Sequence, residues 1–159
     1  MRVFSFVSVA AGLALFATLS SAQVPVYGSN VNLELAKKIL AGAEANARSQ
    51  NLPMAIAVVD NAGQLVAFTR MDNTQTASVA IAQDKAVSAA MFRRPTKVFQ
   101  DVLAAGGVGL RVLTLRNANA VEGGIPIVVD GKVMGAVGVS GGSSEQDGVV
   151  AAAGLAAMK

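Results

Sequence analysis

The sequence predicts an α/β (α+β) fold: an antiparallel sheet with alanine-rich helices packed on both sides. Three observations carry that prediction. Two stretches read as apolar run, tight turn, apolar run: Met54–Val59 with Asp60-Asn61-Ala62-Gly63 and Leu65–Met71, then Ile125–Val129 with Asp130-Gly131-Lys132 and Val133–Val139. Such pairs are β-hairpin signatures, and hairpins make antiparallel sheets. Between and around them lie segments with apolar residues at three- and four-residue spacing, the period of a helix face.

The elements follow in order. Met1-Arg2, an apolar run of 17 residues from Val3 to Leu19, and Ser20-Ser21-Ala22 form a positive start, an apolar middle and small residues before a cut. That is secretory leader architecture, predicting cleavage after Ala22 and an exported, periplasmic or extracellular chain. The alternative, a retained anchor, has a run at the lower length limit for a bilayer and no basic cluster behind it. Residues 23–159 then form a single domain, since no repeat or linker divides them.

Val24–Val31 is a short lead. Asn32 suits an N-cap, its side-chain oxygen free to bond first-turn amides. Leu33, Ala36, Ile39, Leu40, Ala43 and Ala47 mark one helical face, and Pro53 ends the helix near Gln50. The run Met54–Val59 has no polar side, so it reads as a strand covered on both faces. Ser78–Phe92 is an alanine-rich helix stopped by Pro95, and Thr96 can cap a shorter helix through Leu103. Ala104–Gly109 reads as a loop and Arg111–Leu115 as a strand or irregular edge. Pro126 sets its strand near an edge or a strand start, while Gly135 and Gly138 leave room for a backbone or a ligand. Ser140–Ser144 opens a final helix holding Val149, Val150, Ala153 and Leu155.

Composition removes whole mechanisms. The chain has no histidine, cysteine or tryptophan. A Ser-His-Asp triad, a cysteine nucleophile and His or Cys ligation of zinc or haem are therefore excluded within one chain. No metal site is predicted. Disulfides are absent as well, so stability rests on packing. Removing Arg2 with the leader leaves 12 basic against 10 acidic residues, a net charge of +2. That is too small and scattered for a nucleic-acid partner, and no membrane contact is expected once the leader is cut.

The segment Gly138-Val139-Ser140-Gly141-Gly142-Ser143-Ser144-Glu145-Gln146-Asp147 is a strand running into a small-residue loop at a helix start. Free amides there, with the helix dipole, favour a carboxylate or other anion. The competing reading is a tight turn in which Ser143 or Ser144 only caps. No Gly-Lys-Ser/Thr follows, so this is not a P-loop, nor is it a dinucleotide fingerprint.

Glu122-Gly123-Gly124-Ile125-Pro126-Ile127, Asp130-Gly131-Lys132, Gly135 to Gly142 and Gln146-Asp147 together resemble the signature of the GlcG/HbpS-like family, which includes the C-terminal domain of PduO-type corrinoid adenosyltransferases. Arg70-Met71-Asp72 resembles that family's R-M-D element. Lys85-Ala86 within the Ala82–Phe92 helix, and Thr96 after it, match the next family segment. The likeness runs from about Leu33 to Met158. It implies a profilin-like three-layer α/β/α fold around a five-stranded antiparallel sheet, a homo-oligomer, and haem as the ligand of characterised relatives. The chain departs from the pattern twice. Phe68-Thr69 stands where many relatives carry a histidine before R-M-D, and Asn73 replaces the usual following glycine.

Candidate ligand-binding residues are therefore Arg70, Asp72, Lys85, Thr96, Glu122, Gly141, Gly142, Gln146 and Asp147. Arg70 and Asp72, two apart on a strand, share a side and could clamp a carboxylate, or form a plain surface ion pair. Lys85 could reach an anion or snorkel from its helix edge. Asp147 in a helix first turn also complements the dipole. Met71, Met91, Thr96 and Tyr27 are the donors left for a haem iron.

Three functions follow. The first is an exported, non-catalytic binder of haem or a similar carboxylate-bearing small molecule. The alternative is an enzyme on a small carbonyl or carboxylate compound, with Arg70 as clamp, Asp72 or Asp147 moving a proton and the glycine loop stabilising charge. The third is a scaffold whose glycines only allow close subunit packing.

Overall fold

Asn32 begins the first helix as its chemistry predicts: the Leu35 amide donates to its Oδ1 at 2.9 Å. In the computed structural model, which describes residues 24–159, that helix is preceded by a two-residue strand. The leader expected over residues 1–22 lies outside the described residues. The elements are β1 (Val26–Tyr27), α1 (Leu33–Ser49), β2 (Ala55–Asp60), β3 (Leu65–Arg70), α2 (Ser78–Phe92), α3 (Thr96–Ala104), a 3₁₀ segment (Gly107–Thr114), β4 (Gly124–Val129), β5 (Lys132–Ser140) and α4 (Ser144–Ala156).

Both expected hairpins form. β2 pairs antiparallel with β3, and β4 with β5. The second turn places Asp130 at φ 49° and Gly131 at φ 72°. Positive φ at both central residues suits the twist of the flanking strands. The two hairpins join through β2 and β5, also antiparallel, with Ala55 opposite Ser140.

One expectation needs correcting. The sheet has five strands but is mixed, because β1 runs parallel to β5, with Val26 opposite Lys132 and Tyr27 opposite Val133. The lead segment is too short to show any periodicity. It becomes a strand because the beginning of β5 extends past the end of β2 and leaves amides and carbonyls there to be paired.

The layers follow from alternation along β2. Ile56 and Val58 face α1 and α4 with Val137, Val139 and Ile127. Ala55, Ala57 and Val59 face α2, where they meet Ala82, Ala86 and Ala89. Large side chains fill one side and alanines the other, so α2 lies almost on the sheet. Gly138 makes that approach possible, since a Cβ there would collide with the Ala82 carbonyl oxygen. The space expected at Gly138 is filled by backbone.

Arg111–Leu115 is not a strand. Arg111 to Thr114 belong to the 3₁₀ segment, where residues three apart eclipse one another. Gly109 and Val112 form its inner column against α3: a Cβ on Gly109 would collide with the Val102 carbonyl oxygen, and Val112 is buried.

Candidate functional site

One row of the sheet runs Arg70, Ala55, Ser140. Paired residues on neighbouring strands point to the same face, and here that face carries α2. The Ser140 hydroxyl meets that of Ser78 on α2 at 3.0 Å. Thus the end of β3, the start of β2 and the glycine loop after β5 meet at one end of the sheet. The loop packs tightly there, because a Cβ on Gly141 would strike the Pro53 carbonyl oxygen.

Beneath that loop is a buried ion pair. Lys85 is only 1% exposed. Its Nζ donates to Asp147 Oδ2 at 2.7 Å and to the Val139 carbonyl at 3.1 Å. Asp147 Oδ1 accepts the Gly142 amide at 3.0 Å. Burial pushes the Asp147 carboxyl above its ordinary 3.8, against the opposing pull of the Lys85 hydrogen bond and of the Gly142 amide. Ser143 and Gln146 complete a capping box, with the Ser143 amide donating to Gln146 Oε1 at 2.9 Å. The Gly142 amide expected to greet a guest anion is thus held by this chain's own Asp147, while the Ser143 amide is held by Gln146.

The Glu122-Gly123-Gly124 stretch covers the pair. A Cβ on Gly123, at φ 127°, would come within 2.9 Å of both Lys85 Nζ and Asp147 Cβ. Gly124 donates its amide to Thr96 Oγ1 at 3.0 Å, and Thr96 is fully buried. The Thr96 hydroxyl therefore serves Gly124 rather than capping its own helix, which starts without a side-chain cap. Glu122 lies outside the seal, beside Gly148 and 4.0 Å from Lys97.

The opposite flank of the same sheet end is open. A cleft of about 420 Å³ is lined by Arg48, Asn51, Leu52, Pro53, Met71, Asp72 and Asn73, a size within the range of small-ligand sites. Asp72 is the one carboxylate among these residues. Arg70 lies outside the lining; its Nη2 donates to the Thr74 carbonyl at 3.2 Å. The structure therefore does not gather Arg70 and the glycine-loop amides into one cavity, although the sheet row brings them to the same end.

Sequence reasoning does not single out Arg48, Asn51 or Asn73 as ligand contacts. Asn73 carries a signal: it takes the place of a glycine, and its φ of 62° is one that glycine adopts freely and asparagine tolerates. Arg48 stands in the last turn of α1 with Nε on Glu44 at 3.0 Å, so helical periodicity marks it only as surface. Of the other donors named from sequence, the Tyr27 hydroxyl donates to the Met91 carbonyl at 2.9 Å, and Met91 Sδ accepts from Asn117 at 3.5 Å. Among the described residues, no group of three or more Asp or Glu is placed to hold a metal ion.

A family model described as "Haem degrading protein HbpS-like" matches residues 31–156. Protein GlcG of Escherichia coli K12 is 38% identical over 107 residues, which is 67% of this chain and 78% of that protein. Among solved structures, a double mutant of Streptomyces reticuli HbpS superposes with a TM-score of 0.75 at 25% identity, covering 94% of this chain and 97% of that one. A PduOC:heme complex does so with a TM-score of 0.73 at 26% identity, covering 80% of this chain and 94% of that one.

Proposed function

The chain belongs to the HbpS-like family, and on that footing we propose that it is an exported, homo-oligomeric binding protein whose ligand is haem or a similar carboxylate-bearing molecule. The observation that carries the reading is its likeness, over 80% of its length, to a domain solved in complex with haem.

The cleft residues fit such a guest. Leu52, Pro53 and Met71 give apolar surface for a ring. Arg48 gives a guanidinium, and Asn51 and Asn73 give amides, for carboxylates. With no histidine or cysteine in the chain, Met71 is the sulfur donor lining the cleft, and the ligand is held by its ring and acids more than by its iron. Bound haem supplies one-electron iron chemistry. Asp72 and the Glu44-paired Arg48 both line the cleft, and Arg70 adds a positive charge at that end of the sheet. The acid–base alternative has less support through Asp147, both of whose oxygens are engaged by Lys85 and Gly142, which leaves Asp72 in the cleft as its one candidate.

Titration of the purified protein with haem tests this reading. A saturable Soret shift at one haem per chain is expected. Arg48→Ala and Met71→Ala should weaken binding by about three- to tenfold, roughly 0.6 to 1.4 kcal/mol, and Val149→Ala on the outer face of α4 should not. Non-saturating binding without defined stoichiometry would sink the reading.

A further inference from the structure

The two walls of the cleft are held in different ways. Asn51, Leu52 and Pro53 form one of them. That wall closes on its own helix. Asn51 stands at φ 55°, its amide donates to the Arg48 carbonyl at 3.1 Å, and the Leu52 amide reaches back to the Ala47 carbonyl at 3.0 Å. These are the two bonds of a Schellman cap. The glycine loop backs the same wall, pressed against the Pro53 carbonyl at Gly141. Met71, Asp72 and Asn73 form the other wall. They lie between β3 and α2, outside any helix or strand. The Thr74 amide closes their turn on the Met71 carbonyl across a long 3.3 Å. Such a turn needs a further tie to keep its place.

Thr74 supplies that tie. It is 3% exposed and does not line the cleft. Its Oγ1 donates to the Met71 carbonyl at 2.7 Å and has the Met54 carbonyl, next to Pro53, as a second acceptor at 3.0 Å. One hydroxyl thus spans from the second wall to the root of the first. The Thr74 carbonyl in turn accepts Arg70 Nη2 at 3.2 Å. We infer that Thr74, braced by Arg70, is the positioning residue of the cleft. It sets the spacing between the Met71–Asn73 turn and the Asn51–Pro53 wall, and through that spacing the fit of a flat ring. The inference rests on the cleft reading above and adds a residue that touches neither wall's open side nor the guest. Arg70 then acts on the ligand through the Thr74 backbone rather than by contact. Burial strengthens a hydrogen bond of this kind, and a wall already in place spares the ligand the cost of ordering it.

The test pairs haem titration with amide hydrogen exchange of the ligand-free protein. Thr74→Val keeps the shape of the side chain. Both carbonyls keep a backbone donor, the Met71 amide on Met54 at 3.0 Å and the residue-74 amide on Met71, so the fold should stand. The variant is expected to weaken haem binding by about three- to tenfold. It should also speed exchange at the Met71 amide while leaving Val58, in the middle of β2, unchanged. Thr74→Ser, which restores the hydroxyl, should return both readings toward wild type. Arg70→Ala should move both in the same direction as Thr74→Val, and the double variant should lose less than the sum of the singles. If Thr74→Val does not fold, Arg70→Ala at its exposed position carries the same two measurements. Wild-type haem affinity in Thr74→Val would overturn the inference and leave the haem reading standing. Faster exchange at Val58 as well would also overturn it, as a general loss of stability. Strictly additive losses in the double would mean that Arg70 meets the ligand itself. A wild type that binds no haem sinks the reading above, and unchanged Met71 exchange in Thr74→Val would then reject the spacing role too.

Discussion

Lys85 Nζ lies 2.7 Å from Asp147 Oδ2 in a setting where both side chains are at most 4% exposed. The pair joins α2 to the start of α4 across the end of β5. It also holds the glycine loop, because the other Asp147 oxygen accepts the Gly142 amide. Two residues that look like ligand contacts in sequence thus act together as an internal brace.

Removing one partner should strand a buried charge. Lys85→Met is expected to lower unfolding free energy by about 3–5 kcal/mol. Adding Asp147→Asn should recover most of that loss, because the remaining charge is gone. Urea unfolding of the two singles and the double checks this, and purely additive losses would contradict it.

The pH dependence has a definite sign. Burial raises the folded Asp147 carboxyl above 3.8, so the folded state favours its protonated form. That contribution is fully present below 3.8 and is lost as pH rises through the raised folded value. The stability of wild type relative to Asp147→Asn, followed from about pH 3 to about pH 7, should therefore decline with rising pH. A steady increase over that window would show that Lys85 and the loop amides outweigh burial.

Gly138→Ala drives a methyl against the Ala82 carbonyl. The fold should lose about 3 kcal/mol or more, since backbone on both sides cannot give way. Gly106→Ala offers the contrast. It stands at φ 69° and ψ −158° with nothing within 4 Å, so only the backbone strain of a region that glycine alone adopts readily, about 1–3 kcal/mol, applies. Thermal unfolding of the two variants should rank them in that order.

Thr96→Val keeps the shape of a fully buried side chain but removes the acceptor of the Gly124 amide. An orphaned buried donor costs about 1–3 kcal/mol. Denaturant midpoints would register the loss, and an unchanged midpoint would return Thr96 to the residues kept for ligand alone.

Asn73 holds its φ of 62° at a cost in strain. Asn73→Gly should hold or slightly raise stability, while Asn73→Ala should lose about 1 kcal/mol. Equal stability of the two would mean that the asparagine side chain, not its backbone, is what matters there.

Much is legible in the sequence because the signals are local. Asn32 caps its helix, the α2 bounds fall at Ser78 and Phe92, and Asp130-Gly131 turns the second hairpin, each for reasons contained within a few residues. The family signature is legible too, and its glycines have physical causes: Gly123 and Gly124 pass over Lys85 and Thr96, and Gly138 admits α2. What tertiary structure alone decided concerns residues far apart in the chain. Lys85 and Asp147 are separated by 62 positions, and only the stacking of α2 on β5 removes the water that would otherwise keep them apart. Tertiary structure decided as well that a loop amide serves Asp147, that β1 joins the sheet in parallel beside the overhang of β5, and that Arg48 rather than Arg70 lines the cleft. A sequence states which groups a chain owns. Exclusion of water, which sets the strength and partner of each charge, depends on every layer being in place.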